Sequence, residues 1–336
     1  MKRREFVRTA GLASLALPVI GCGSSWPRKG RRPNIVFIMA DDHASQAIGC
    51  YGSRLNRTPG IDRIAREGVR FDSCFCMNGV RDNAVAFDGT QMTFPKILRE
   101  AGYETALLGK WHLKSDPTGF DRWTILPGQG DYYNPDLIEM GTRARHNGYV
   151  TDILTDMASD FLEARRGGGK PFLLMLHHKA PHRNWQPAER HLHLYDGVEF
   201  PEPPTLFDDY ETRSGAAFEQ EMTIRDHMTL DSDLKLGPPP ARMDEAQRDA
   251  WEKAYGPKRA DFERAALDGE ALVRWKYRRY LQDYLGSIAA VDESVDRVLD
   301  VLDATGLADD TLVVYTSDQG FFLSLIHISE PTRLRR

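Results

Sequence analysis

Four apolar runs in this chain each end in a cluster of ionisable or amide side chains. NIVFIMA ends in Asp41-Asp42-His43, and YETALLG ends in Lys110-Trp111-His112. PFLLML ends in His177-His178-Lys179-Ala180-Pro181-His182, and TLVVYTS ends in Asp318-Gln319-Gly320. Asp41, Asp42, Asp318 and the Gln319 carbonyl offer only hard oxygens, which suit Ca2+ (or Mg2+) rather than zinc. Lys110, His112, Lys179 and His182 offer cations and hydrogen-bond donors. Closed around one divalent ion, such a set would hold an oxyanion and stabilise charge developing on its oxygens. A sulfate or phosphate ester is the matching substrate.

Each cluster alone has a plainer reading. Adjacent aspartates cap helices, Asp-Gln-Gly makes an ordinary turn, and a lone histidine is more often structural than catalytic. Four coincident strand ends are harder to set aside, because ligands in open α/β sheets gather beyond the carboxyl ends of the strands. The elements that must position the clusters follow from periodicity. Continuous apolar runs predict buried strands at 34–39 and 171–176, with further strands at 69–76, 103–108 and 311–316. Helices are predicted at 58–67, which has Pro at its first turn, and at 93–101, 151–165 and 270–304. In the last, Leu281, Leu285, Ile288, Val291, Val295, Val298 and Leu302 make one core-facing stripe. Strands alternating with helices give an α/β fold with a mostly parallel central sheet flanked by helices. Residues 187–268 are polar and rich in Pro and charge, which predicts a surface insertion with short helices such as 243–254.

The chain has 336 residues and a formal net charge of −5, so nothing in its overall balance calls for nucleic acid. An anionic ligand must be met by a local group of cations. Residues 1–22 read as an export signal: Arg3-Arg4 as a twin-arginine start, then a short apolar stretch, then Val19-Ile20-Gly21-Cys22 as a lipobox. Cys22 would then be lipidated and could anchor the protein to a membrane, with 23–33 as a tether. The alternative is an ordinary cleaved signal. Either way the protein is expected to be exported, as a periplasmic protein or a membrane-anchored lipoprotein. The remaining cysteines, Cys50, Cys74 and Cys76, are odd in number and do not form a complete disulfide framework.

The segments PNIVFIMADDH, TPGIDRIAREGVRF, GYETALLGKWHL, KAPHRNW and LVVYTSDQG resemble, in order, those of the sulfatase family. The resemblance spans 33–320 and implies the alkaline-phosphatase-like fold, with sulfated carbohydrates or aryl sulfates as substrates. It is closest to bacterial enzymes acting on sulfated glycans. By position it implies Asp41, Asp42, Asp318 and Gln319 as ligands of a metal, usually Ca2+. It implies that Lys110 and His112 contact the sulfate, with Lys179 as a supporting cation. His182 would hydrogen-bond the sulfate or protonate the leaving oxygen.

The family's attacking group is a formylglycine, made by a partner enzyme from Cys or Ser in a C/S-x-P-S/A-R motif. Here the chain runs Cys74-Phe75-Cys76-Met77-Asn78-Gly79-Val80-Arg81, with no such motif. The resemblance therefore implies a missing segment between Asn78 and Gly79, and a sulfatase that is inactive without it. Residues 34–323 would be an incomplete catalytic domain, lacking the C-terminal subdomain, and 324–336 a foreign or frame-shifted tail. The lost packing should expose apolar surface. Two other readings stand beside this one: a non-catalytic binder of sulfated glycans, and a phosphatase or phosphodiesterase of the same fold, which would need a Ser or Thr nucleophile and two metals.

Overall fold

A computed structural model of the chain describes residues 32–74, 85–212, 215–219 and 222–321. The apolar runs form strands as expected: β1 (Asn34–Ala40), β2 (Glu104–Lys110), β6 (Phe172–His177) and β7 (Thr311–Ser317). Between β2 and β6 lie three further strands that periodicity does not predict: β3 (Arg122–Leu126), β4 (Asp136–Glu139) and β5 (Thr142–Arg145). All seven make one sheet in the order β5-β4-β3-β2-β6-β1-β7. The run from β3 to β7 is parallel, and β4 and β5 add an antiparallel edge.

Five helices of more than one turn flank the sheet among the described residues: α1 (Pro59–Glu67), α2 (Phe94–Glu100), α3 (Val150–Glu163), α4 (Glu245–Ala265) and α5 (Gly269–Thr305). The seven apolar positions of the predicted stripe on α5 are all buried, with exposures of 1% or less. Asp292, on that helix, accepts from the Gly60 and Ile61 N–H groups (3.2 and 2.9 Å), so α5 caps the start of α1.

Three expectations need correction. Residues 69–74 are not a strand, and the rest of 69–76 lies outside the described residues. Val69 and Phe71 are exposed, and the Phe71 carbonyl accepts from the Tyr51 hydroxyl (2.8 Å) instead of a neighbouring strand. β1 is fully buried on one face and only partly on the other: Val36, Ile38 and Ala40 are fully covered, while Ile35 and Phe37 are half-buried, Phe37 against Phe94 of α2 (ring centroids 6.2 Å apart). The segment 187–268 is no mere surface appendage. Phe200, Ile224, Met228, Leu234 and Trp251 are buried in the core clusters, and its helix runs on to Ala265. A capping box of Asp244 and Gln247 starts that helix.

Candidate active site

The carboxyl ends of β1, β2, β6 and β7 carry the predicted clusters to one end of the sheet. Chain geometry helps to place them. Gly109, next to Lys110, has φ +108°, and a Cβ there would lie 1.9 Å from the His177 carbonyl oxygen. Only glycine lets β2 approach β6 this closely. Asp42 itself is in the left-handed region, with φ 65°.

Asp41 pairs with the Lys110 ammonium, and both side chains are largely buried. The Asp42 N–H donates to Asp318 Oδ1 (2.9 Å), which joins the end of β1 to the end of β7. The Gln319 N–H donates to the same oxygen (2.8 Å), while its side chain is exposed. Asp41, Asp42 and His182 each offer a ligand atom, all within 4.8 Å of one another. So the structure brings His182 to the acids, and it ties Asp318 and Gln319 in through backbone bonds.

The electrostatics fit a divalent cation. Burial first, then the carboxylates of Asp41 and Asp318, push the Asp42 carboxyl up to about 7. Burial and Asp41 also raise Asp318. Three carboxylates here face two ammonium groups, Lys110 and Lys179, so negative charge is left over. A hard cation would remove that excess, and carboxylate oxygens are its preferred ligands.

The cations depress one another. Lys179 is brought down to about 8 by burial and then by Lys110, and its Nζ lies 4.7 Å from the centre of the Tyr132 ring. His112 is lowered by burial, then Lys110, Lys114 and Lys179. His182 falls to about 4 from burial, then Lys110 and Lys179. It is therefore neutral in the ligand-free protein. Its Nδ1 lies 2.6 Å from the Arg183 carbonyl and must carry the proton there, which leaves Nε2 to accept or to ligate.

The other histidines of these clusters are structural. His43 Nδ1 meets the Tyr315 hydroxyl (2.6 Å), and His178 Nε2 meets Ser294 Oγ (3.1 Å). His177 and His178 are fully buried, and desolvation lowers them to about 4 and about 3. Sequence reasoning missed Tyr132, whose hydroxyl donates to the His182 carbonyl (2.6 Å), so one ring supports both Lys179 and His182. It also missed the grip of the 187–268 segment on the site. Arg183 Nε donates to Asp233 (2.8 Å), and Lys235 Nζ donates to the Asn184 carbonyl (2.5 Å). Cys22, the N-terminal signal, Cys76, Asn78, Gly79 and the tail 324–336 lie outside the described residues.

The sulfatase family model matches residues 33–325. The chain belongs to the sulfatase family, a family of sulfuric ester hydrolases. It is 47% identical over 344 residues to the N-acetylglucosamine-6-O-sulfatase of Bacteroides thetaiotaomicron, covering 92% of this chain and 62% of that protein. It is 24% identical to human iduronate 2-sulfatase, across 86% of this chain and 55% of the relative. A solved structure of BT4656 in complex with its substrate, D-glucosamine-2-N,6-O-disulfate, superposes with a TM-score of 0.83 at 48% identity. That match covers 87% of this chain and 66% of the other. The chain thus spans less than two thirds of the length of these relatives, and the mostly parallel sheet is that of the alkaline-phosphatase-like sulfatases.

Proposed function

We propose that this end of the sheet is a calcium-assisted site for a sulfate ester of a glycan, with 6-O-sulfated glucosamine as the substrate class. The observation that carries it is the convergence of Asp41, Asp42 and Asp318 with Lys110, Lys179 and His182. The 47% identity to an N-acetylglucosamine-6-O-sulfatase supports the choice of sugar. A bound calcium would polarise the ester and neutralise charge on its oxygens. Asp41, Asp42 and Asp318 would hold it, with Gln319 close by. Lys110, His112 and Lys179 would bind the remaining sulfate oxygens. An anionic ester against His182 raises its proton affinity, so that Nε2 can hydrogen-bond the sulfate or protonate the leaving oxygen.

The sequence as written has no C/S-x-P-S/A-R motif, and covalent catalysis without its nucleophile loses the reaction path itself. The chain should therefore bind the sulfated sugar and release no sulfate. Incubation with glucosamine 6-sulfate and calcium, with ion chromatography of free sulfate, tests this; steady sulfate release defeats the inactive reading and leaves the site reading standing. A phosphatase reading is not favoured, since the only metal-ligand group among the described residues is Asp41, Asp42 and His182, too few for two ions. A formylglycine-generating enzyme is a partner only for a form that carries the motif. The Arg3-Arg4 and Val19-Ile20-Gly21-Cys22 segments support export with lipid anchoring at Cys22. Metabolic labelling with palmitate should mark the wild type and not Cys22→Ala; equal labelling rejects Cys22 as the anchor.

A further inference from the structure

We propose that Tyr284 is a positioning residue for the divalent cation: it sets the Asp42 carboxylate by clipping the backbone on both sides of His43. Tyr284 lies on α5, with no exposed surface. Its hydroxyl donates to the Asp42 carbonyl (2.8 Å) and accepts from the Ala44 N–H (2.9 Å). One phenol thus spends its proton and a lone pair on a loop whose first residue has φ 65°. The other side of that loop is held from β7, where Ser317 Oγ accepts from the His43 N–H (2.8 Å) and Tyr315 meets the His43 ring. Without the hydroxyl, the buried Ala44 N–H and the half-buried Asp42 carbonyl lose the partner that fixes their direction.

The ring of Tyr284 packs against Tyr280 and Phe321 (centroids 6.1 and 6.4 Å away). Phe321 follows the Asp318-Gln319-Gly320 turn, so the same ring also borders the other acidic loop. Phenylalanine keeps that packing and removes only the hydroxyl. The role rests on the calcium reading above, and Tyr284 acts through Asp42, without touching the ion or the ester.

The test is calorimetric titration of Ca2+ into the full chain, with thermal melts in EGTA. Tyr284→Phe is expected to weaken calcium binding roughly 10–100-fold, the usual effect of losing a group that orients a metal ligand. Asp292→Ala, on the same helix, removes the cap on α1 and should lower the melting temperature with calcium affinity retained. Unchanged affinity in Tyr284→Phe overturns the role, and so does an equal loss in Asp292→Ala, because any loosening of α5 would then suffice. If Asp318→Asn loses calcium while Tyr284→Phe does not, the positioning role alone fails. If the wild type takes up no calcium, the calcium reading fails and takes this inference with it.

Discussion

The Lys110 ammonium pairs with the Asp41 carboxylate across the end of β6, the strand that lies between theirs in the sheet. The pair bolts the ends of β1 and β2 together at the point where the proposed ligand and ion would meet. It also sets Lys110 in competition with a cation for the same carboxylate. Lys110→Met should then separate three effects. The metal-free protein loses stability, by about 3 kcal/mol or more, because a buried carboxylate is left unpaired. Calcium binds at least as tightly as before, since a competing charge is gone. Binding of glucosamine 6-sulfate weakens by roughly tenfold or more, the scale of one lost charged hydrogen bond. Paired calcium and sugar titrations check this, and a variant that holds the sugar as well as the wild type would remove Lys110 from the site.

Asp42 gives a pH dependence with a definite sign. Its carboxyl is raised from 3.8 to about 7, mainly by burial. Between those values the unfolded chain releases a proton that the folded, metal-free chain keeps. This contribution to stability is fully present below about pH 4 and is lost as the pH rises through about 7. Calorimetry in EGTA should show Asp42→Asn more stable than the wild type at pH 8. The gain should be a few kcal/mol, since each tenfold change in proton affinity is worth about 1.4 kcal/mol. The two should converge near pH 4. Calcium affinity of the wild type should fall below pH 7, because the ion needs the ionised acid. An Asp42→Asn variant less stable than the wild type at pH 8 would show that the ionised carboxyl costs the metal-free protein nothing.

Much of this arrangement is legible in the residues, for reasons that also explain what is not. β1, β2, β6 and β7 are marked by apolar runs, and their polar ends point to the site without any knowledge of the fold. β5 could not be found that way. Its four residues, Thr142–Arg145, are all exposed, and Arg143 and Arg145 pair with Asp136 of β4 in place of an apolar face. The segment 69–76 misled because Val69 and Phe71 alternate with polar residues, yet both face solvent. Among the histidines, residue type cannot separate His182 from His177 and His178; only burial does. Tyr132 and Tyr284 were invisible because a loop and a helix far apart in sequence bring them under the site. Nothing in the sequence distinguishes Tyr284 from Tyr277 or Tyr280.

The exposed apolar side chains carry a solution prediction. Phe94 and Ile97 of α2 are 47% and 53% exposed, and Phe71 is 69% exposed. Among the described residues β7 is the last strand in the sheet order, with Leu312 at 54% exposure. Open strand edges and apolar patches favour association. The chain as written should self-associate in light scattering, and Ile97→Lys with Leu312→Lys should reduce it. A monodisperse wild type that melts cooperatively would contradict this.

The most direct test of the site is calorimetric titration of glucosamine 6-sulfate into the full chain, in calcium and again in EGTA. Saturable binding in calcium that disappears in EGTA is the predicted result, with no heat from unsulfated glucosamine under either condition. Equal binding with and without calcium, or binding that ignores the sulfate, would contradict a calcium-assisted sulfate-ester site at the ends of β1, β2, β6 and β7.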